Sequence, residues 1–144
     1  MKYLLGLCLF PFLISNCVPA STVLSAKGEP VVHPEFADVP VPEGFEFLRD
    51  QSDKHEWEWS AKKIRFGQLV YRGTASVEGT QDFYKRRMAA LDAGWRETGS
   101  SSAPDVLLSF EKGSGENHES CQIRITREDT FTIVRVSLEP IGGK

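Results

Sequence analysis

The side chains that could support acid–base or metal chemistry are few and scattered along this 144-residue chain. Its three histidines, His33, His55 and His118, have no metal-ligand spacing to one another. The chain contains no G-x-S-x-G, phosphate-loop or H-E-x-x-H motif. An active site would have to be assembled from separated groups such as His55, Glu56 and His118. The sequence therefore favours a protein that is not an enzyme and holds no metal and no cofactor, with a hydrolase of unrecognised site as the alternative.

The three cysteines match neither a zinc motif nor a small disulfide framework. Cys121 alternates with polar residues in step with Ile123 and Ile125, which places it on the apolar face of a predicted strand. Reactive cysteines need an exposed, electropositive setting. We therefore expect a buried structural thiol at Cys121.

Residues 51–63 have a composition suited to binding. His55, Trp57 and Trp59 alternate with two glutamates, a pattern that predicts a half-buried strand with the rings on one face. Aromatic side chains flanked by charges are typical of interface hot spots. These three residues form the candidate binding surface, and the alternative is that the tryptophans pack in the core.

The first twenty residues resemble a bacterial export signal. A positive start precedes an apolar run over residues 3–14, which is too short for a membrane span of about 20 residues. The run ends in a string that resembles the lipobox of bacterial lipoproteins, with Asn16 as its departure from the usual glycine or alanine: Leu13-Ile14-Ser15-Asn16-Cys17. Lipidation of Cys17 is favoured because the cysteine directly follows the run. The alternative is ordinary secretory cleavage after Ala20.

Three regions follow from these patterns. Residues 1–16 are expected to be a signal peptide, and residues 17–37 a lipidated N-terminus followed by a flexible, proline-containing tether. Residues 38–140 are expected to form a single α+β domain. His33 falls in the tether, where a solvated side chain is expected.

The domain has one clear helix signal among several strand signals. Ser76 is an N-cap candidate, apolar residues recur after it at helical spacing, and Gly94 is the expected stop. The alternative is a regular start nearer Gln81, because Gly79 falls in the first turn. A loop is expected over residues 99–102. Beyond it, alternating segments around 106–111, 121–126 and 134–138 predict a three-stranded antiparallel meander. The predicted fold is α+β, an antiparallel β-sheet of order β-β-α-β-β-β packed on one amphipathic helix in two layers.

Several short strings distribute over most of this domain. They are DVPVPEGF at 38–45, GQLVYRG at 67–73, FYKRRM at 83–88, GW at 94–95, LLSFEK at 107–112 and CQIRI at 121–125. Together with the lipobox they resemble a group of small uncharacterised bacterial lipoproteins. The resemblance implies a compact domain behind a lipid anchor, and it implies no activity.

The net charge and the export signal limit the kinds of partner that are expected. The formal net charge is -3, so the strongly positive field that nucleic-acid binding requires is missing. The expected partners are the membrane, through the N-terminal lipid anchor, and an envelope protein bound by a small binding or scaffolding module. The expected location is the cell envelope, on the periplasmic side of the outer membrane in a host with two membranes. Cleavage after Ala20 would instead give a secreted or periplasmic protein.

The anchor can be tested by one substitution. Cys17→Ser is expected to abolish labelling by a fatty-acid analogue, because the thioether requires the cysteine sulfur. The serine variant is also expected to remain as the unprocessed precursor, which differs from the mature protein in gel mobility. Continued labelling of the serine variant would disprove lipidation at Cys17.

Overall fold

The computed structural model describes residues 27–59, 62–90 and 92–142. This part contains eight strands in one sheet and one α-helix, consistent with the α+β class. None of its helices is long and apolar enough to cross a bilayer. The elements are β1 (Glu29–Pro30), β2 (Glu46–Phe47), β3 (Asp53–Trp59), β4 (Lys62–Gly73), α1 (Val77–Met88), β5 (Arg96–Ser101), β6 (Val106–Lys112), β7 (Glu119–Glu128) and β8 (Phe131–Pro140).

The sheet has the spatial order β1-β2-β4-β8-β7-β6-β5, and β3 pairs with β4 beside β2. All of these pairings are antiparallel. Buried and more accessible positions alternate along β6 and β7, so the meander of β6, β7 and β8 buries one face, as their apolar alternation predicts.

The sheet contains more strands than the predicted order allowed. β5 includes most of the segment predicted as a loop, and its six residues are all exposed. Glycine and serine have low strand propensity, so the composition hides the strand. Its backbone is held by antiparallel pairing to β6, with an irregularity between Glu97 and Gly99.

Helix α1 begins as predicted and ends earlier. The Ser76 hydroxyl accepts a hydrogen bond from the Gly79 backbone N–H at 3.0 Å, which caps the first turn. The last helical residue is Met88, and the prediction that the helix continues to Gly94 is wrong. The Trp95 backbone N–H donates to the Met88 carbonyl, and Gly94 has a φ of 72°, so the chain has already turned back.

The main core lies between α1 and the sheet. Tyr84 and Met88 of the helix are fully buried there, and Cys121 is 0% exposed, which confirms a buried thiol. Burial raises the pKa of that thiol, so it stays protonated and unreactive at neutral pH. The sheet contributes mainly aliphatic and aromatic side chains, namely Leu69, Tyr71, Leu108, Phe110, Ile123, Ile125, Val134, Val136 and Leu138.

Part of the predicted flexible tether is packed on the domain. Glu29 and Pro30 pair with β2, and Phe36 is buried with the main core, so residues 29–37 follow the sheet instead of extending away from it. The prediction missed this because the segment has no apolar periodicity of its own. His33 is exposed, as expected. The signal peptide, Cys17 and the alternative cleavage site lie outside the described residues.

Helix and sheet are expected to unfold as one unit. Tyr84→Ala or Trp95→Ala should lower the free energy of unfolding by about 3 to 5 kcal/mol, since each removes a buried aromatic ring. Arg86→Ala, an exposed position on the same helix, is the matched control and should change it by less than about 0.5 kcal/mol. Urea titrations measure both. Equal losses at the buried and exposed positions would contradict the packing.

Candidate functional site

Strands β3 and β4 form a hairpin that projects beyond the sheet. β3 pairs with β4 from Asp53 opposite Gln68 to Trp59 opposite Lys62, whereas the pairing of β8 with β4 begins only at Gly67. The distal half of the hairpin therefore extends past the paired part of β8. Residues 53–58 are all exposed, so the prediction of a half-buried strand is wrong. Among the residues that the structure describes, no layer packs along the strand closely enough to bury one of its faces.

Gly67 lies where the hairpin joins the sheet. Its φ is 148°, a conformation that residues with a side chain rarely adopt. A Cβ atom at this position would collide with the backbone carbonyl oxygen of Asp53. Glycine thus allows β4 to pair with β3 on one side and with β8 on the other at the same residue.

One face of the hairpin is aromatic. His55 lies opposite Phe66 in the register, and residues directly opposite one another share a face. The ring centroids are 4.8 Å apart for His55 and Phe66, 5.0 Å for Trp57 and Phe66, and 5.9 Å for His55 and Trp57. We call His55, Trp57 and Phe66 the aromatic face.

The structure brings together two of the three residues of the candidate binding surface. Trp57 is 54% exposed, which excludes the alternative that this tryptophan packs in the core. His55 is exposed beside it, and its Nε2 lies 2.9 Å from Oδ1 of Asp53 on the same strand. The imidazole also lies against the Phe66 ring, with an interplanar angle of 30°. The side chain of Trp59 lies outside the described part of the structure.

The opposite face of the hairpin is charged. Glu56 lies opposite Arg65 and Glu58 opposite Lys63, in the intervening positions of the register. The Lys63 ammonium group forms an ion pair with Glu56, and this hydrogen bond lowers the pKa of the Glu56 carboxyl. The predicted separation of rings and glutamates onto two faces is thereby confirmed for His55, Trp57, Glu56 and Glu58.

Arg65 connects the charged face to the body of the domain. Its residue exposure is only 8%, and its guanidinium donates to both oxygens of Asp38 at 2.6 and 2.9 Å. It also donates to both oxygens of Glu119, at 3.0 and 2.5 Å. The Lys112 ammonium group donates to Asp38 at 2.8 Å and to the Ala93 carbonyl at 2.7 Å. We call Asp38, Arg65, Lys112 and Glu119 the ion cluster.

The ion cluster holds its charges firmly. Burial raises the pKa of Asp38, but hydrogen bonds from Arg65 and Lys112 outweigh that effect and bring it from 3.8 to about 2. Burial lowers the pKa of Arg65, and its bonds to Glu119 and Asp38 reverse the shift, so that the net pKa is raised. Asp38 is therefore a carboxylate at neutral pH and cannot act as a general acid.

A cleft of about 580 Å³ opens between the charged face and the N-terminal segment. Its walls include Phe36, over whose ring Lys54 and Arg65 place their cations at 5.1 and 5.5 Å from the centroid. The charged groups that line it belong to the ion pairs described above or to the pair between Lys54 and Glu35. The charged groups of the cleft are thus paired with one another, and these ion pairs stabilise the attachment of the hairpin to the body of the domain.

The groups considered for a hydrolase are not gathered into one site. His55 and Glu56 lie on opposite faces of β3, because consecutive residues of a strand alternate. His118 Nε2 lies 3.3 Å from Glu111 Oε2, in a pair of its own. Within residues 27–59, 62–90 and 92–142, no group of three or more His, Cys, Asp or Glu side chains has the arrangement of a metal site.

The ion cluster was not predicted, although the sequence does contain a signal for it. Arg65 has the same strand phase as the buried Leu69, and Glu119 the same phase as the buried Cys121. Lys112 likewise follows Phe110 by two positions. A charged residue in core phase on a strand indicates a buried partner. Three such residues on three strands indicate a shared cluster.

Comparison of the chain with protein-family models, with curated proteins and with solved structures gives no match.

The charge of Asp38 predicts a specific pH dependence of stability. Its pKa is lower in the folded than in the unfolded protein, so its contribution is complete above about pH 4 and is lost as the pH falls through about 2. Asp38→Asn should lower the free energy of unfolding at pH 7 by about 3 kcal/mol, because Arg65 and Lys112 lose a partner. Denaturant titrations between pH 7 and 2 measure the difference from the unmodified protein.

That difference should shrink between pH 4 and 2, as the aspartate of the unmodified protein takes up its proton. Asp50→Asn, at an exposed residue outside the cluster, is the control and should show no such difference. A constant offset for Asp38→Asn down to pH 2 would contradict the lowered pKa.

Proposed function

We propose that this protein is an exported, lipid-anchored module of the cell envelope that binds a partner through the aromatic face of its β3–β4 hairpin. The observation that carries the proposal is the exposure of Trp57, 54%, within a stack of three rings. Exposure of an indole to water has a free-energy cost that is proportional to its uncovered apolar area. An exposed aromatic cluster on a projecting element is typical of a binding surface.

The surface is organised before a partner arrives. The rings are borne on paired strands, and His55 contacts both Asp53 and Phe66, so the backbone that presents them is already ordered. The hairpin root is fixed by the ion cluster through Arg65. Preorganisation of this kind reduces the entropic cost of association.

The anchor is the second part of the proposal, and it depends on the lipobox and on the resemblance to bacterial lipoproteins. Eleven residues separate Cys17 from the start of β1 at Glu29. A chain of that length reaches at most about 40 Å. A lipidated Cys17 would therefore keep the start of β1 within about 40 Å of the membrane, where an envelope partner is accessible.

The proposal also takes the domain to be the two-layer α+β sandwich predicted from the sequence. Burial of Thr80, Tyr84 and Met88 on one side of α1 and contacts of α1 with β5, β6 and β7 support that packing. In this arrangement α1 and the aromatic face lie on opposite sides of the sheet, so the helix does not obstruct the binding surface.

A pair of substitutions on one strand tests the binding surface. Trp57→Ala should reduce capture of envelope components by the tagged full-length protein at least tenfold and change the melting temperature by less than about 2 °C, because the indole is largely solvated. Glu58→Ala, the next residue and on the other face, should leave both unchanged. Quantitative pull-down from detergent-solubilised envelope and thermal denaturation give the two readouts. Undiminished capture by the Trp57 variant would disprove the proposal.

A further inference from the structure

The aromatic face continues into a polar strip across the sheet. Gln68 follows Phe66 by two residues on β4 and therefore shares its face. Gln68 lies opposite Asp53 of β3 and opposite Ser137 of β8, and Ser137 lies opposite Gln122 of β7. This row crosses four strands on the side of the sheet that faces away from α1. We call it the polar row.

A groove of about 420 Å³ runs over Gln68, Ser137 and Gln122 of the polar row, while Asp53 lies outside its lining. It is lined by the amides of Gln68 and Gln122 and by the hydroxyl of Ser137, which can both donate and accept hydrogen bonds. Two ion pairs complete its walls, Arg124 with Asp105 at 3.7 Å and Arg135 with Glu128 at 3.2 Å.

The lining charges of this groove sum to zero, since the two arginines balance Asp105 and Glu128. A neutral groove has no electrostatic preference for an anionic polymer such as a nucleic acid. The groove is equally unsuited to a lipid surface, because acyl chains would cover its hydrogen-bonding groups without offering them partners. The complementary ligand is uncharged and rich in hydroxyl or amide groups.

The aromatic face supplies the other half of such recognition. The flat face of a pyranose ring presents C–H groups that carry a small positive charge, and the face of an aromatic ring is negative. Trp57 and Phe66 can therefore stack against a sugar ring, while the polar row binds the hydroxyl groups of the next ones.

The span of the surface sets the size of the ligand. From β3 to β7 there are three inter-strand steps of about 4.8 Å, or roughly 14 Å in total. That distance is longer than a single sugar ring, so an oligosaccharide is required to reach from the aromatic face to Gln122.

From this continuity we infer that the aromatic face and the polar row form one site for a neutral glycan chain. The inference deepens the proposed function and rests on it, because it names the chemical class of the partner that the hairpin binds. Trp57 is the stacking platform, and Gln68 and Gln122 are the hydrogen-bonding residues of the same site.

The test uses the full-length protein in detergent on a printed array of neutral oligosaccharides that includes tetramers of N-acetylglucosamine and of glucose. Saturable binding to at least one tetramer is expected, with weaker binding of the corresponding monosaccharide. For that tetramer, Trp57→Ala should raise the dissociation constant about tenfold. Gln122→Ala, at the far end of the row, should raise it about threefold.

Two controls isolate the site. Glu58→Ala alters the same hairpin on its charged face, and Asp50→Ala alters an exposed residue outside the sheet. Neither should change the dissociation constant. Absence of binding to every oligosaccharide, or binding that either Trp57→Ala or Gln122→Ala leaves unchanged, would overturn the inference.

The failure of this inference can be separated from failure of the proposed function. If no oligosaccharide binds but capture from the envelope still depends on Trp57, the hairpin binds a partner of another class and only the glycan assignment is wrong. If the Trp57 substitution changes neither oligosaccharide binding nor capture, both are wrong.

Discussion

A guanidinium buried at the root of the hairpin constrains how the whole domain can fold. Arg65 is 8% exposed, and a charge removed from water costs several kcal/mol unless it is paired and hydrogen-bonded. Its partners come from distant parts of the chain, Asp38 from the N-terminal segment and Glu119 from the start of β7. The ion cluster therefore ties the N-terminal segment, the hairpin and the meander to one another, because displacement of any one removes a hydrogen-bonded partner from a buried charge.

The same ion cluster attaches the hairpin to the body of the domain although residues 53–58 are exposed. β4 runs for twelve residues, from the hairpin tip through Arg65 and Gly67 to the body of the sheet. One face of this hairpin is used for ion pairs with the body of the domain, so the rings of the other face remain free of the core. Stability and the proposed binding are thereby assigned to opposite sides of a single two-stranded element.

The sequence patterns correctly predicted the features that depend on contacts between residues close in the sequence. The Ser76 cap depends on Gly79, three residues away, and the alternation of His55 with Glu56 depends only on strand geometry. Elements decided by distant contacts were missed. β5 is a strand because β6 pairs with its backbone, and α1 ends at Met88 although apolar residues continue to Trp95. The exposure of the hairpin and the ion pair between Asp38 and Arg65 likewise depend on the tertiary structure. The periodicity of a strand carries no information about such distant contacts.

The division between the two faces of the hairpin has a consequence for how such a protein can evolve. Trp57 and Gln122 contribute no atoms to the main core, and exposed positions of this kind usually tolerate substitution at a cost below about 0.5 kcal/mol. Selection on what is bound can therefore act at these positions while selection on folding acts at Arg65, Tyr84 and their partners. Substitutions on the exposed side of the sheet can therefore alter the proposed binding surface while the core and the ion cluster stay unchanged.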